Sequence, residues 1–235
     1  MTGPDETPRQ SALAKATTRA GEQLQKLTLS AVDTGVGPMS GSRAYALDRL
    51  QHAEQDVEKA VQRVIRESVV AAGTAGFVAG LGGLVTLPVA LPAGITGSLV
   101  INARMVGTIA HLRGYDLENP HTQAVLMLTV AGSSAQAAAS ELGVKIGQKM
   151  AVQAIEKLPM KVVHAINRRA GTYLVAKYGT QRSLVTLSKA VPGIGGLVGG
   201  GVDASLTRAV GAAAKKAFPP LPPGQAFAPQ VVVGS

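Results

Sequence analysis

The sequence predicts an all-α protein: one helical domain built around a hairpin of glycine- and alanine-rich helices, with flexible tails at both ends. Three observations carry that expectation. Apolar residues make up 46% of the chain but aromatics only 3%, so a core must be assembled from Ala, Val, Leu and Ile. The stretch from Ser68 to Ala103 contains no charged residue and is bounded by Glu67 and Arg104. Within it small residues recur three and four apart, a spacing that lets helix backbones approach closely.

Residues 1–41 read as a flexible N-terminal region. Pro4 and Pro8 interrupt a polar start, and from Gln10 a weak helical period runs through Leu13, Ala16, Ala20, Leu24, Leu27 and Ala31. Its Thr-rich face suits a helix that docks conditionally. Gly35, Gly37, Pro38 and Gly41 mark a linker. Ser42 is the expected N-cap of the next helix. Its apolar positions, Leu47, Leu50, Val57, Val61 and Val64, lead directly into the uncharged stretch, so one long helix, half wet and half buried, is expected.

Pro88 and Pro92 divide the uncharged stretch into two arms, and Gly73, Gly76, Gly80 and Gly83 are the packing positions of the first. Ser68–Leu87 as a helix measures about 30 Å, the thickness of a bilayer core. The second arm, however, carries Asn102 and Arg104 near its centre, and a central arginine costs at least ~2.5–3.5 kcal/mol on insertion. Burial within the fold and insertion into a membrane interface both stand as readings of this hairpin.

The second arm should stop at Arg113-Gly114-Tyr115, where glycine takes a left-handed C-cap. Asn119 and Pro120 then read as the N-cap and first residue of a short apolar helix, His121–Val130. Further helices are expected over Ala135–Leu158, from Pro159 to Tyr178-Gly179, and over Leu184–Ala190. The glycine cluster Gly193–Gly201 leads into a last helix, with Gly195, Gly196, Gly199 and Gly200 as packing positions. The helical domain thus covers 42–218. Residues 219–235, with five prolines, form a disordered tail in which Val231, Val232 and Val233 could add a strand to a protein partner's sheet edge.

Charge is unevenly distributed. The net charge is +9, and residues 159–218 alone hold nine basic side chains against one acid, Asp203. Lys161, Arg168, Arg169, Lys177, Arg182, Lys189, Lys215 and Lys216 are therefore expected to present a basic face to an anionic membrane surface, where each nearby cation adds about 1 kcal/mol. Nucleic acid is the rival partner, with Tyr173 and Tyr178 available to stack, but no helix-turn-helix or other reader motif accompanies them. Asp203, set among small and apolar residues, is expected to pair with Arg208, Arg104 or Arg168 as a buried ion pair.

Catalytic signatures are missing. There is no cysteine, and His52, His111, His121 and His164 lack metal-ligand spacing. Val198 stands where a dinucleotide fingerprint starting at Gly193 needs its third glycine, and no Walker loop occurs. No enzyme activity, metal or cofactor is expected. The first 30 residues hold no apolar signal-peptide core, so a cytoplasmic protein, peripheral at the inner face of the cell membrane, is the expected location. Glycine faces serve contacts within and between chains equally, so oligomeric state is left open.

Five segments in order resemble the EcsC family of bacterial proteins. They are Gly80-Leu81-Gly82-Gly83 before Leu87-Pro88-Val89-Ala90-Leu91-Pro92; Arg113-Gly114-Tyr115-Asp116; Ala165-Ile166-Asn167-Arg168-Arg169; Lys177-Tyr178-Gly179; and Lys189-Ala190-Val191-Pro192 running into the glycine cluster with Asp203 and Arg208. The likeness covers roughly residues 45–218. It departs from the family at Ala90, where an aspartate is usual. The family has no established biochemical activity, and the resemblance implies at most membrane association.

Overall fold

A computed structural model describes residues 8–81, 87–132, 159–188 and 194–222. Seven helices occupy the described residues: α1 (Pro8–Asp33), α2 (Ser42–Gln51), α3 (Val57–Leu81), α4 (Leu87–Leu112), α5 (Pro120–Ala131), α6 (Met160–Ser188) and α7 (Ile194–Ala217). A two-residue antiparallel hairpin, β1 (Gly35–Val36) with β2 (Met39–Ser40), joins α1 to α2. The all-α expectation is met.

α4 is the centre, and it touches each of the other six helices. Its sequence explains why: from Ser98 to Ala110 every residue but Arg104 is buried, and a helix apolar all round has to be enclosed on all sides. α5 is the same kind of element, buried at Thr122 and continuously from Ala124 to Ala131. Leu99, Met105, Ile109, Leu126, Met127 and Leu128 are the bulky side chains where the two meet the rest of the core. Around α4 stand two further pairs, α1 with α6 and α3 with α7.

Several local expectations hold. Gly114 ends the turn after α4 with φ 87°, and the Asn119 side chain accepts from the His121 backbone N–H, with Pro120 opening α5. Others are corrected. The long helix from Ser42 through Ser68 is two helices, because the chain reverses over His52–Gln55, where Glu54 and Gln55 adopt φ of 55° and 65°. Ser42 does not cap: Gly41 is the N-cap, and the Ser42 hydroxyl donates to the Arg104 carbonyl at 3.1 Å. α6 runs unbroken through Gly179 to Ser188. The linker folds into the β1–β2 hairpin. α1, expected to dock only conditionally, lies against α6 so closely that a Cβ on Gly171 would stand 2.3 Å from the Gly21 carbonyl oxygen.

The uncharged stretch also divides differently from the expectation. Its second arm, in α4, is core. Its first arm, in α3, leaves Val70 63%, Phe77 38% and Val78 62% exposed. Among the described residues no helix is long and apolar enough to cross a membrane. The helix expected over Ala135–Leu158, the packing position Gly83, the cation Lys189 and the segment Val231–Val233 lie outside the described residues.

Candidate functional site

Two buried cations hold helix ends. Arg113, whose side chain is 4% exposed, sits where α4 turns at Gly114 and points at the end of α7. It donates to the carbonyls of Lys215 (2.9 Å) and Phe218 (2.6 Å) and pairs with Glu58 of α3. A cation here answers the partial negative charge and unpaired carbonyls of a helix C-terminus. Tyr115 completes the clasp: its hydroxyl donates to the Pro219 carbonyl at 2.9 Å, and its ring meets Phe218 edge-on at 5.2 Å.

Lys177 does the same for α5. Its Nζ donates to the Val130 carbonyl at 2.5 Å, and the residue is 8% exposed. Gly132, at φ 69°, leaves the room: a Cβ there would lie 3.1 Å from the ammonium. Asn102 of α4 donates to the Tyr178 hydroxyl at 3.3 Å beside it. Burial lowers the Lys177 pKa to about 8.

A third cluster surrounds Glu67 of α3. Its carboxylate accepts from the Tyr45 hydroxyl (2.6 Å), Arg49 (2.9 Å) and Arg63 (3.0 Å), while Arg104 lies over the Tyr45 ring at 4.1 Å. Burial pushes the Glu67 carboxyl up, but the Tyr45 hydroxyl and the two guanidiniums outweigh it and hold the pKa below its ordinary value. Burial and the Glu67 hydrogen bond raise Tyr45 to about 12.

The remaining feature is the α3–α7 pair, the most extensive helix contact among the described residues. A Cβ on Gly76 would stand 2.7 Å from the Gly199 carbonyl oxygen and 2.5 Å from Asp203 Oδ2; one on Gly200 would stand 2.8 Å from the Gly73 carbonyl oxygen. With backbones in contact, larger side chains are turned outward. Phe77 and Val78 on α3 and Leu197 on α7, 71% exposed, form an apolar end to the pair. Toward the start of α3 a groove opens, lined by Lys59, Arg63, Arg66 and Arg208 and walled by Ile65, Val69 and Val70.

The EcsC protein family model matches residues 10–219. The chain belongs to that family. No curated protein and no solved structure matches it. Two of the segments that carry the EcsC resemblance, Arg113-Gly114-Tyr115 and Lys177-Tyr178, are the ones that clasp the ends of α7 and α5. The EcsC match begins inside α1, which places that helix within the family's domain.

The cations read as one basic face are not one face. Lys161, Arg168 and Arg169 are exposed on α6, whereas Lys215 is half-buried and lies 3.6 Å from Glu58, and Lys216 is exposed on α7. Lys177 is corrected outright: it falls in register with Val163, Ile166, Ala170 and Leu174 on the inner side of α6, so it is a core residue. Arg182 is on α6 beyond the described side chains. The ion-pair trio is not assembled either. Asp203 is buried against Gly76, Arg208 is exposed in the groove, and Arg104 lies over Tyr45. Gly80, Gly195 and Gly196 are helical, with no side-chain surroundings described. Among the described residues no group of three or more His, Asp or Glu could hold a metal.

Proposed function

We propose that the protein is a non-enzymatic accessory protein that attaches peripherally to anionic membrane, at the inner face of the cell membrane, through the apolar end of the α3–α7 pair. The observation that carries this reading is the exposure of Phe77, Val78 and Leu197 at one end of two helices. Val70 extends the patch along α3 by about 12 Å from Val78, at 1.5 Å per residue. Large apolar side chains gathered in this way mark an interaction surface, and the exposed Arg66 and Arg208 lie beside it. An apolar patch flanked by cations is the combination that binds a charged interface, where burial and headgroup attraction add.

The chain contains no tryptophan, so one introduced residue reports cleanly. Leu197→Trp should shift its emission to the blue on adding vesicles of phosphatidylcholine with phosphatidylglycerol, and not with phosphatidylcholine alone. Emission unchanged by either vesicle would remove the reading.

A further inference from the structure

The groove beside the apolar end carries a charge imbalance that its own acids do not correct. Its two carboxylates are already engaged: Glu58 binds Arg113 and Lys215, and Asp56 lies 3.7 Å from Lys59 of the same groove and caps the start of α3 by accepting from the Lys59 backbone N–H. Arg63 is taken by Glu67. Arg66 of α3 and Arg208 of α7 line the same groove, are both exposed, and form no salt bridge among the described residues. Two guanidiniums lining one groove from two helices, with forked donors and no acidic partner among the described residues, suit a tetrahedral oxyanion. The apolar wall, Ile65, Val69 and Val70, leads from them along α3 toward the exposed Phe77 and Val78.

We infer that this groove is a phosphate site for the headgroup of an anionic phospholipid, with Arg66 and Arg208 as its ligands. The inference rests on the membrane reading above and adds to it where the headgroup sits. Lipid is favoured over a free phosphate because the polar pair opens onto an apolar strip, as a headgroup joined to acyl chains requires.

Co-sedimentation of the full chain with phosphatidylcholine–phosphatidylglycerol vesicles tests it. The double variant Arg66→Gln, Arg208→Gln should bind about thirtyfold more weakly, the loss of two cations at the surface. The triple variant Lys161→Gln, Arg168→Gln, Arg169→Gln on α6 should bind as the parent does. All five positions are exposed and form no salt bridge among the described residues, and thermal melting of each variant should match the parent. Parent and double variant binding equally well would overturn the headgroup site while leaving the membrane reading intact. A parent that fails to sediment, yet whose arginine resonances shift with glycerol phosphate, would overturn the lipid source and the membrane reading together.

Discussion

The α1–α6 and α3–α7 pairs are both seated on glycine, and they turn opposite chemistry outward. In the first, Gly21 meets Gly171 backbone to backbone, and the outer side of α6 carries Lys161, His164, Arg168 and Arg169, as a solvated helix should. In the second, Gly73 and Gly76 meet Gly200 and Gly199, and the outer side carries Val70, Phe77, Val78 and Leu197. Close packing through glycine does not need bulky side chains at the contact, so it leaves the rest of each helix free to serve something else. That freedom is filled by charge in one pair and by apolar surface in the other.

Substitutions at the two seats should separate them. Gly171→Ala puts its Cβ 2.3 Å from one backbone atom and 2.5 Å from another. Neither can move without moving α1, so a loss of about 3 kcal/mol is expected in urea unfolding, despite the helix-propensity gain. Gly76→Ala meets one side-chain atom, Asp203 Oδ2 at 2.5 Å, and its nearest backbone contact, the Gly199 carbonyl oxygen, is longer at 2.7 Å. Its expected cost is smaller, about 1–2 kcal/mol. Equal losses at the two seats would show that they are equally rigid and break the comparison.

A pH series sharpens it further. Lys177 has a pKa of about 8 in the fold against 10.5 unfolded, so between those values the unfolded chain holds a proton that the folded chain has released. Stability should therefore rise with pH through that window, on the order of 2 kcal/mol. Tyr45 works in the other direction: raised from 10.0 to about 12, it keeps its proton in the fold, and stability should fall above pH 10. Lys177→Met should abolish the rise and Tyr45→Phe the fall, both read from unfolding midpoints across pH. The smallest effect belongs to Gly201, whose added Cβ would meet nothing within 4 Å. Gly201→Ala should stabilise α7 by about 0.5–1 kcal/mol, visible as a modest rise in melting temperature.

What the sequence made legible was local chemistry. Gly114 and Asn119-Pro120 stop and start helices through their own backbone preferences, and a reader needs no tertiary information to see it. The reversal over His52–Gln55 has no such marker, because Glu54 and Gln55 take left-handed backbone that neither residue type advertises. Lys177 was legible and misread. Its spacing from Val163, Ile166, Ala170 and Leu174 places it on the buried side, but its charge assigned it to the surface. Asp203 shows the same register with Thr207, Val210 and Ala214, and its small and apolar neighbours in the sequence are what mark it as buried. Arg113 as a clasp was invisible, since its three partners lie 55, 102 and 105 residues away.

The Arg113–Tyr115 clasp bears on how the proline-rich end can be dissected. Phe218 and Pro219 supply carbonyls to it, and Leu221 packs against the core beyond them. A truncation that begins at residue 219, where composition changes, would strip an acceptor and a hydrophobic neighbour from the folded body. Any loss of partner capture would then be confounded with damage to the body itself. Cutting after Pro222 spares both, so only that boundary lets a missing tail be blamed for a missing partner.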